Sequence, residues 1–257
     1  MRTIRNYDKL VNEIINLNIP FRVEIIGYVQ YKTVIYPILS IRHISKIAKR
    51  NVVITSGIHG DEYFAVHVLL KWAQQIKPEI LDDFNFHIFP VVNPYGYSKD
   101  YAKNGLNQEV NNANSFCKNS KVPELDILFD SFPMDADLVI DIHGDTDKSD
   151  VYAYEHKAET HPPIAEKALM DNDAILPYIK TKTLYQVKLT NGVCEDREET
   201  GIEGVAEKRG LLYSITLELP EKCLAQKRTA GGIAILNSIL SNFKDTLKTE
   251  TNETKNS

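Results

Sequence analysis

Two short, almost unbroken apolar runs, Asn51-Val52-Val53-Ile54-Thr55 and Asp137-Leu138-Val139-Ile140-Asp141-Ile142, constrain this chain more than any other feature. Both read as buried strands, and each ends where a histidine stands beside a glycine. The first is followed by Ser56-Gly57-Ile58-His59-Gly60-Asp61-Glu62, the second by His143-Gly144-Asp145. The carboxyl ends of such strands are where open α/β sheets place their ligands. An amphipathic stretch follows His59, so a helix is expected to start at about Asp61, with His59 and Glu62 facing one point. Imidazole nitrogen and carboxylate oxygen are ordinary zinc donors, and a catalytic zinc takes three protein ligands and leaves one position open. The same spacing recurs at His156-Lys157-Ala158-Glu159, but in a polar stretch with no strand end. Context, not spacing, separates the two.

The 257 residues are read as one large α/β domain over 1–244, long enough to bury a core without disulfide or metal staples, followed by a disordered polar tail at 245–257. A net charge of -5 gives no electrostatic reason to expect nucleic acid or an anionic membrane as partner. Cys117, Cys194 and Cys223 are an odd number at wide spacings, which argues against a disulfide framework or a cysteine zinc cage and fits reduced thiols in the cytoplasm. The segment from Met1 to Lys9 lacks the apolar core of a secretory signal. No apolar stretch approaches the ~20 residues of a membrane-spanning helix.

Along the chain, Leu10, Val11, Ile14 and Ile15 place a helix from about Tyr7 to Leu17. Val23 to Gln30 and Lys32 to Ile41 form a strand hairpin, and a helix from Asp61 to about Ile76 follows His59. A strand from Phe84 to Val92 breaks at Asn93-Pro94-Tyr95-Gly96, read as a turn. Ser98 to Ser120, with six asparagines, is read as a surface loop and a candidate pocket wall. A helix spans Pro123 to Phe132, a strand is expected at Val151 to Tyr154, and a helix at Pro162 to Met170. Tyr178 to Leu189 is a mixed or strand segment and Thr190 to Gly210 a loop. In Leu211 to Leu219, Tyr213, Ile215, Leu217 and Leu219 take one face, which puts Glu218 on the polar face with Ser214 and Thr216. A last amphipathic helix runs from Ala230 to Phe243.

Taken in order, His59 and Glu62, Asn93-Pro94-Tyr95-Gly96, His143, and Glu218 within Tyr213-Ser214-Ile215-Thr216-Leu217-Glu218-Leu219 resemble the zinc carboxypeptidases of the funnelin type. The resemblance extends to their relatives, the succinylglutamate desuccinylases and aspartoacylases, and covers about residues 7 to 243. It implies a single-domain, three-layer α/β fold with a central mixed sheet of about eight strands flanked by helices. It further implies Zn2+ held by His59, Glu62 and His143, with Glu218 as the catalytic carboxylate. Zinc lowers the pKa of a bound water to about 7, and a carboxylate in reach can relay its proton to a leaving amine. Asp141 either orients the His143 imidazole or bonds a neighbouring backbone N–H.

Departures from the family pattern lie in the substrate loop. Family members carry there an arginine that polarises the carbonyl, and an Asn-Arg pair that holds the substrate carboxylate. Between 93 and 122 this chain has no arginine. In one register Asn107 and Gln108 take the place of the pair; in another Asn114 stands where the arginine would be. A neutral amide cannot reproduce a guanidinium fork. Lys99 or Lys103 is the candidate cation for the developing oxyanion, Tyr185 the candidate for the tyrosine that caps substrate, and Asp145 and Asp147 could hold a cationic group. The expected activity is amide-bond cleavage in a small peptide or N-acyl amino acid. A carboxypeptidase-like reading is preferred, with an N-acyl amino acid deacylase or a zinc-binding relative without hydrolytic activity as alternatives.

Overall fold

The computed structural model describes residues 4–48, 50–111, 121–194 and 211–256. Helix α1 (Tyr7–Ile15) buries Tyr7, Leu10, Val11 and Ile14, and Asn6 caps it by accepting the Lys9 N–H. Strands β1 (Arg22–Tyr31) and β2 (Val34–His43) form the expected antiparallel hairpin. Then come β3 (Asn51–Ser56), α2 (Tyr63–Gln75), α3 (Pro78–Asp83), β4 (Asn85–Phe89), α4 (Pro94–Lys99), α5 (Pro123–Ser131) and β5 (Ala136–Asp145). The chain continues through β6 (Tyr152–Lys157), α6 (Ile164–Asp171), β7 (Thr183–Leu184), β8 (Val187–Thr190), β9 (Val193–Cys194), β10 (Tyr213–Pro220) and α7 (Ala225–Asn256).

One sheet joins all ten strands in the order β1-β2-β4-β3-β5-β10-β6-β9-β8-β7. Its centre, β4-β3-β5-β10, is parallel, and antiparallel strands flank it on both sides. The apolar runs are unbroken because these central strands are covered on both faces. Val52, Ile54, Leu138, Ile140 and Ile142 point into a core shared with α1, α2, α6 and α7, while Val53 and Val139 face α5 through Leu125 and Leu128. Each such side chain, fully buried, contributes about 1.5–3 kcal/mol.

The topology fixes where a site can form. From β3 the chain passes through α2 to β4 on one side, then crosses to β5 on the other side of β3. The carboxyl ends of β3 and β5 therefore flank a switch point, and β10 runs parallel beside β5.

Several sequence expectations are corrected. The sheet has ten strands rather than about eight: the segment expected at Tyr178 to Leu189 divides into the short β7 and β8, and the two-residue β9 is added, all too brief to show any periodicity. Asn93-Pro94-Tyr95-Gly96 is not a free turn but the start of α4, with Asn93 accepting the Gly96 N–H as its cap. Helix α2 begins at Tyr63, later than Asp61, with Glu62 at its N-cap position. The last helix starts earlier than Ala230 and continues through the polar stretch read as a disordered tail, to Asn256. Its continuation is held by Thr246, whose hydroxyl donates to the Asn242 carbonyl, and by Leu247, which packs against the core. Residues 112–120 and 195–210, including Asn114, Cys117 and most of the loop expected at 190–210, lie outside the described residues.

Helix α7 docks through Ile235, Leu236, Ile239, Leu240 and Phe243, the last fully buried, stacked on Phe84 at 5.6 Å and meeting Tyr213 edge-on at 5.7 Å. Truncation of such a ring leaves a cavity that costs about 3–5 kcal/mol. Phe243→Ala is expected to lower the unfolding free energy by that amount in urea titrations; a loss below about 1 kcal/mol would show that this contact does not anchor the helix.

Candidate active site

Strand β3 ends at Ser56, and Gly57, at a positive φ of 65°, turns the chain so that His59 leaves the sheet edge. Gly60 is then pressed against the backbone of Gly96; a Cβ there would lie 1.9 Å from the Gly96 carbonyl carbon. This tight packing brings Glu62 back to the start of α2, where the helix dipole favours a carboxylate.

The Glu62 carboxylate is the junction of the site. Its Oε1 lies 2.6 Å from His59 Nδ1. Its Oε2 lies 3.1 Å from His143 Nδ1 and accepts the Gly144 N–H at 3.0 Å. The two imidazole rings meet edge to face with centroids 4.9 Å apart. Behind them, His143 Nε2 donates to Asp141 Oδ2 at 2.7 Å, and the Thr55 hydroxyl donates to the other Asp141 oxygen at 2.7 Å. Of the two roles open to Asp141 from sequence, its oxygens serve the one that orients the imidazole.

These donors suit a metal ion. One ligand atom from each of His59, Glu62 and His143 lies within 4.8 Å of the others, and among the described residues no second group of this kind gathers. The other His-x-x-Glu pair does not: His156 faces Ser214 within the sheet and Glu159 is exposed beyond the end of β6. Both Nδ1 atoms point at the one carboxylate, so a cation at this point would replace the protons they hold. His59 keeps 27% of its side chain exposed, which leaves a solvent-facing side for an open coordination position.

Glu218 stands directly beside this group. In the parallel β5–β10 pairing Glu218 is opposite His143, and in the antiparallel β10–β6 pairing it is opposite Tyr152. Burial pushes its carboxyl up, and although His143 pulls it down, the charges of Glu62, Asp145 and Asp141 help raise it to about 8. The reverse holds for Glu62. Burial pushes that carboxyl up, but His143 and His59 outweigh it and hold it at about 2. Burial opposes the charged form of His143, yet Asp141 and Glu62 raise it well above the ordinary imidazole range.

Residues 37–122 match the family model for zinc carboxypeptidases, a span that contains His59 and Glu62. Solved structures match over nearly the whole chain. A candidate metallopeptidase from Shewanella amazonensis is 22% identical, with 91% of this chain and 90% of that chain covered and a TM-score of 0.75. The fold is that of the zinc carboxypeptidases. A metallo-carboxypeptidase from Burkholderia cenocepacia is 19% identical, covering 92% of this chain and 68% of its own, with a TM-score of 0.65. Another, from Pseudomonas aeruginosa in complex with (2-guanidinoethylmercapto)succinic acid, is 16% identical over 91% of this chain and 67% of its own, with a TM-score of 0.65. No curated protein matches the chain in sequence.

Within this zinc carboxypeptidase fold the substrate-loop candidates are placed less simply. Lys99 is exposed at the end of α4, and Lys103 pairs with Glu109 at 2.8 Å; neither forms a hydrogen bond or ion pair with the triad or Glu218. Asn107, at a positive φ of 60°, accepts from the Tyr101 hydroxyl. Gln108 accepts from Asn104 at 2.9 Å and donates to the Lys121 carbonyl at 3.1 Å. Both amides thus shape the loop. The residue that organises it, Asn104, was not singled out from sequence: it is buried, bonds Glu124, and receives the N–H groups of Leu106 and Gln108. A polar residue in a polar loop gives no sign that it will be buried.

Tyr185 does reach the site region. It sits at the tip of the β7–β8 hairpin, and its hydroxyl donates to Asp145 Oδ2 at 2.7 Å. Tyr152, also missed from sequence, donates to the same oxygen at 3.0 Å. Burial, and then the nearby carboxylates, push both phenols upward. Asp147 pairs with Lys222 at 3.1 Å on the exposed rim.

Asp141→Asn leaves one neutral oxygen where two carboxylate oxygens accept from His143 and Thr55, and is expected to weaken zinc binding about 10–100-fold in chelator competition. Unchanged affinity would show that Asp141 does not orient the ligand. For metal-free protein, Glu62 has a folded value of about 2 against an ordinary 4.5, so its contribution is present above pH 4.5 and is lost as pH falls toward 2. The urea midpoint of chelator-treated protein is expected to drop between pH 5 and pH 3, and to drop less in Glu62→Gln.

Proposed function

We propose that this chain is a zinc-dependent hydrolase that cleaves an amide bond in a peptide or amino-acid conjugate, with His59, Glu62 and His143 as metal ligands. Glu218 is read as the proton-transfer group. The observation that carries the reading is the β5–β10 register, which puts the carboxylate of Glu218 opposite His143 with no hydrogen bond of its own among the described residues. Zinc, when bound, supplies a water that ionises near neutral pH and polarises a carbonyl.

The remaining work falls to the chain's own groups. Positive charge among the donors would bring the raised proton affinity of Glu218 down toward neutrality, the range in which a general acid–base group is most effective. Glu218 can then take the proton of the attacking water and deliver it to the leaving nitrogen. The neighbouring oxygen of Asp145 carries two tyrosine hydroxyls, which keep that carboxylate from competing as a proton acceptor. Asp141 and Thr55 hold His143 in the tautomer that presents Nδ1.

One observation favours the deacylase over the carboxypeptidase within this reading. No arginine lies between 93 and 122, and Asn107 and Gln108 are engaged in holding their own loop, so no guanidinium fork is available there for a terminal carboxylate. The free thiol of Cys223 fits a reducing compartment, and among the described residues no helix is long and apolar enough to cross a membrane.

Zinc-loaded protein is expected to hydrolyse members of a combined panel of peptides and N-acyl amino acids. Glu218→Gln is expected to lower kcat at least about 100-fold while binding the same amount of zinc. No turnover of either class by zinc-loaded wild type would favour a zinc-binding protein without hydrolytic activity. Equal turnover by Glu218→Gln would remove the assigned role.

A further inference from the structure

Glu62 is followed directly by Tyr63 and Phe64, the first two residues of α2, and each aromatic ring carries a guanidinium. Arg5 Cζ lies 4.2 Å from the Tyr63 ring centroid, and Arg228 Cζ lies 4.3 Å from that of Phe64. The two arginines come from opposite ends of the chain, the segment before α1 and the first turns of α7.

Arg5 ties three elements together. Its backbone N–H donates to the Ser98 carbonyl at 3.0 Å and its Nη2 pairs with Asp100 at 2.6 Å. Nη1 is shared between the carbonyls of Tyr97 at 3.3 Å and Gly60 at 3.4 Å. Gly60 lies within the turn from His59 to Glu62, and Asp100, at a positive φ of 52°, closes α4 and opens the substrate loop.

Arg228 does the same from the other side. It is 7% exposed, and its Nη1 donates to the carbonyls of Pro220 and Glu221 at 3.1 Å each, just beyond Glu218 on β10. The Glu221 N–H donates in turn to the Asp145 carbonyl at the end of β5. The Phe64 ring beneath the guanidinium lies against Gly144, where a Cβ would fall 2.2 Å from its Cζ, and the Gly144 N–H holds Glu62. No carboxylate of the described residues pairs with Arg228, and its Nε is buried without an acceptor.

Stability alone does not account for Arg228, whereas Arg5 has Asp100 as its counter-ion. A buried guanidinium without an anion loses its hydration and gains no ion pair in return. Positive charge beside the first turn of a helix also opposes its dipole. We propose that Arg5 and Arg228 are positioning residues that brace the His59–Glu62 turn and the ends of β5 and β10, so that the three donors converge before a metal arrives. This rests on the reading of His59, Glu62 and His143 as a metal site.

The test uses the full chain with Arg5→Ala, Arg5→Lys, Arg228→Lys, Arg228→Met and Phe64→Leu. Zinc affinity is measured by chelator competition, the ligand field by the visible bands of the cobalt-loaded protein, and folding by circular dichroism. Arg5→Ala and Arg228→Met are expected to weaken zinc binding at least about tenfold and to shift the cobalt bands, with the secondary structure kept. The lysine variants should not restore either property, because a single ammonium cannot serve several carbonyls and a ring face together. Added guanidinium ion should restore affinity in Arg5→Ala. Zinc affinity within twofold of wild type, with an unchanged cobalt spectrum, in Arg5→Ala and Phe64→Leu overturns the brace even if the Arg228 variants fail to fold. Wild type that binds no stoichiometric zinc overturns the metal-site reading itself, and the brace with it.

Discussion

One carboxylate, that of Glu62, joins the start of α2 to His59 and to the end of β5 through His143 and Gly144. A carboxylate buried to this degree is tolerated only when its oxygens are occupied by charged or strongly polar donors. Here two imidazoles and a backbone N–H do so, and the chain of contacts extends through Asp141 to Thr55. Thr55 and Asp141 are opposite one another in the parallel β3–β5 register, and His143 is opposite Glu218 in the β5–β10 register. Because side chains alternate from face to face, a slip of one residue in either pairing would send half of this set into the other layer. The apolar residues between the polar ones prevent it: Leu138, Ile140 and Ile142 lie in one core while Val139 lies in the other. The packing of the sheet and the geometry of the site are one constraint.

That coupling explains what could be read from sequence. The apolar runs before His59 and His143, and the alternation that sets Glu218 on a polar face, are local patterns, and they identified the strand ends that meet. Strand order, by contrast, depends on which helices cover which face, and the two- to four-residue strands β7, β8 and β9 carry no period to detect. Asn93 was ambiguous because the same Asx geometry starts a turn or caps a helix; the close approach of Gly96 to Gly60 and the helix that follows decide it. Arg5, Arg228 and Asn104 were invisible for a shared reason. Their partners lie far along the chain or arise from burial that a polar sequence does not announce.

The electrostatics of the site follow from the same packing. Glu62, Asp141, Asp145 and Glu218 converge on two histidines, and the structure accommodates that excess of acid by unequal proton affinities. Glu62, between the imidazoles, is held ionised, whereas Glu218, opposite His143 but facing three other carboxylates, is pushed the other way. Two neighbouring carboxyls with opposite displacements are an arrangement suited to one group that binds a cation and another that moves a proton. A divalent ion among the donors would supply the positive charge that these carboxylates call for.

The loop after α4 is built on a second buried carboxylate. Tyr31 and Asn104 bind the buried carboxylate of Glu124, Gly105 packs on the Tyr31 ring, and Gln108 closes the loop onto Lys121. Among the described residues this wall is shaped by its own hydrogen bonds, and its Lys103 is already paired with Glu109. Where the wall of a pocket is neutral, recognition of a terminal carboxylate loses its strongest term, the charge-assisted bidentate pair. In the proposed hydrolase, selectivity would then rest on shape and on the group beside the scissile bond. Arg5 and Arg228 are already committed to backbone carbonyls and aromatic faces, so these two guanidinium groups hold the His59–Glu62 turn and the chain just beyond β10 and offer no free fork to a carboxylate.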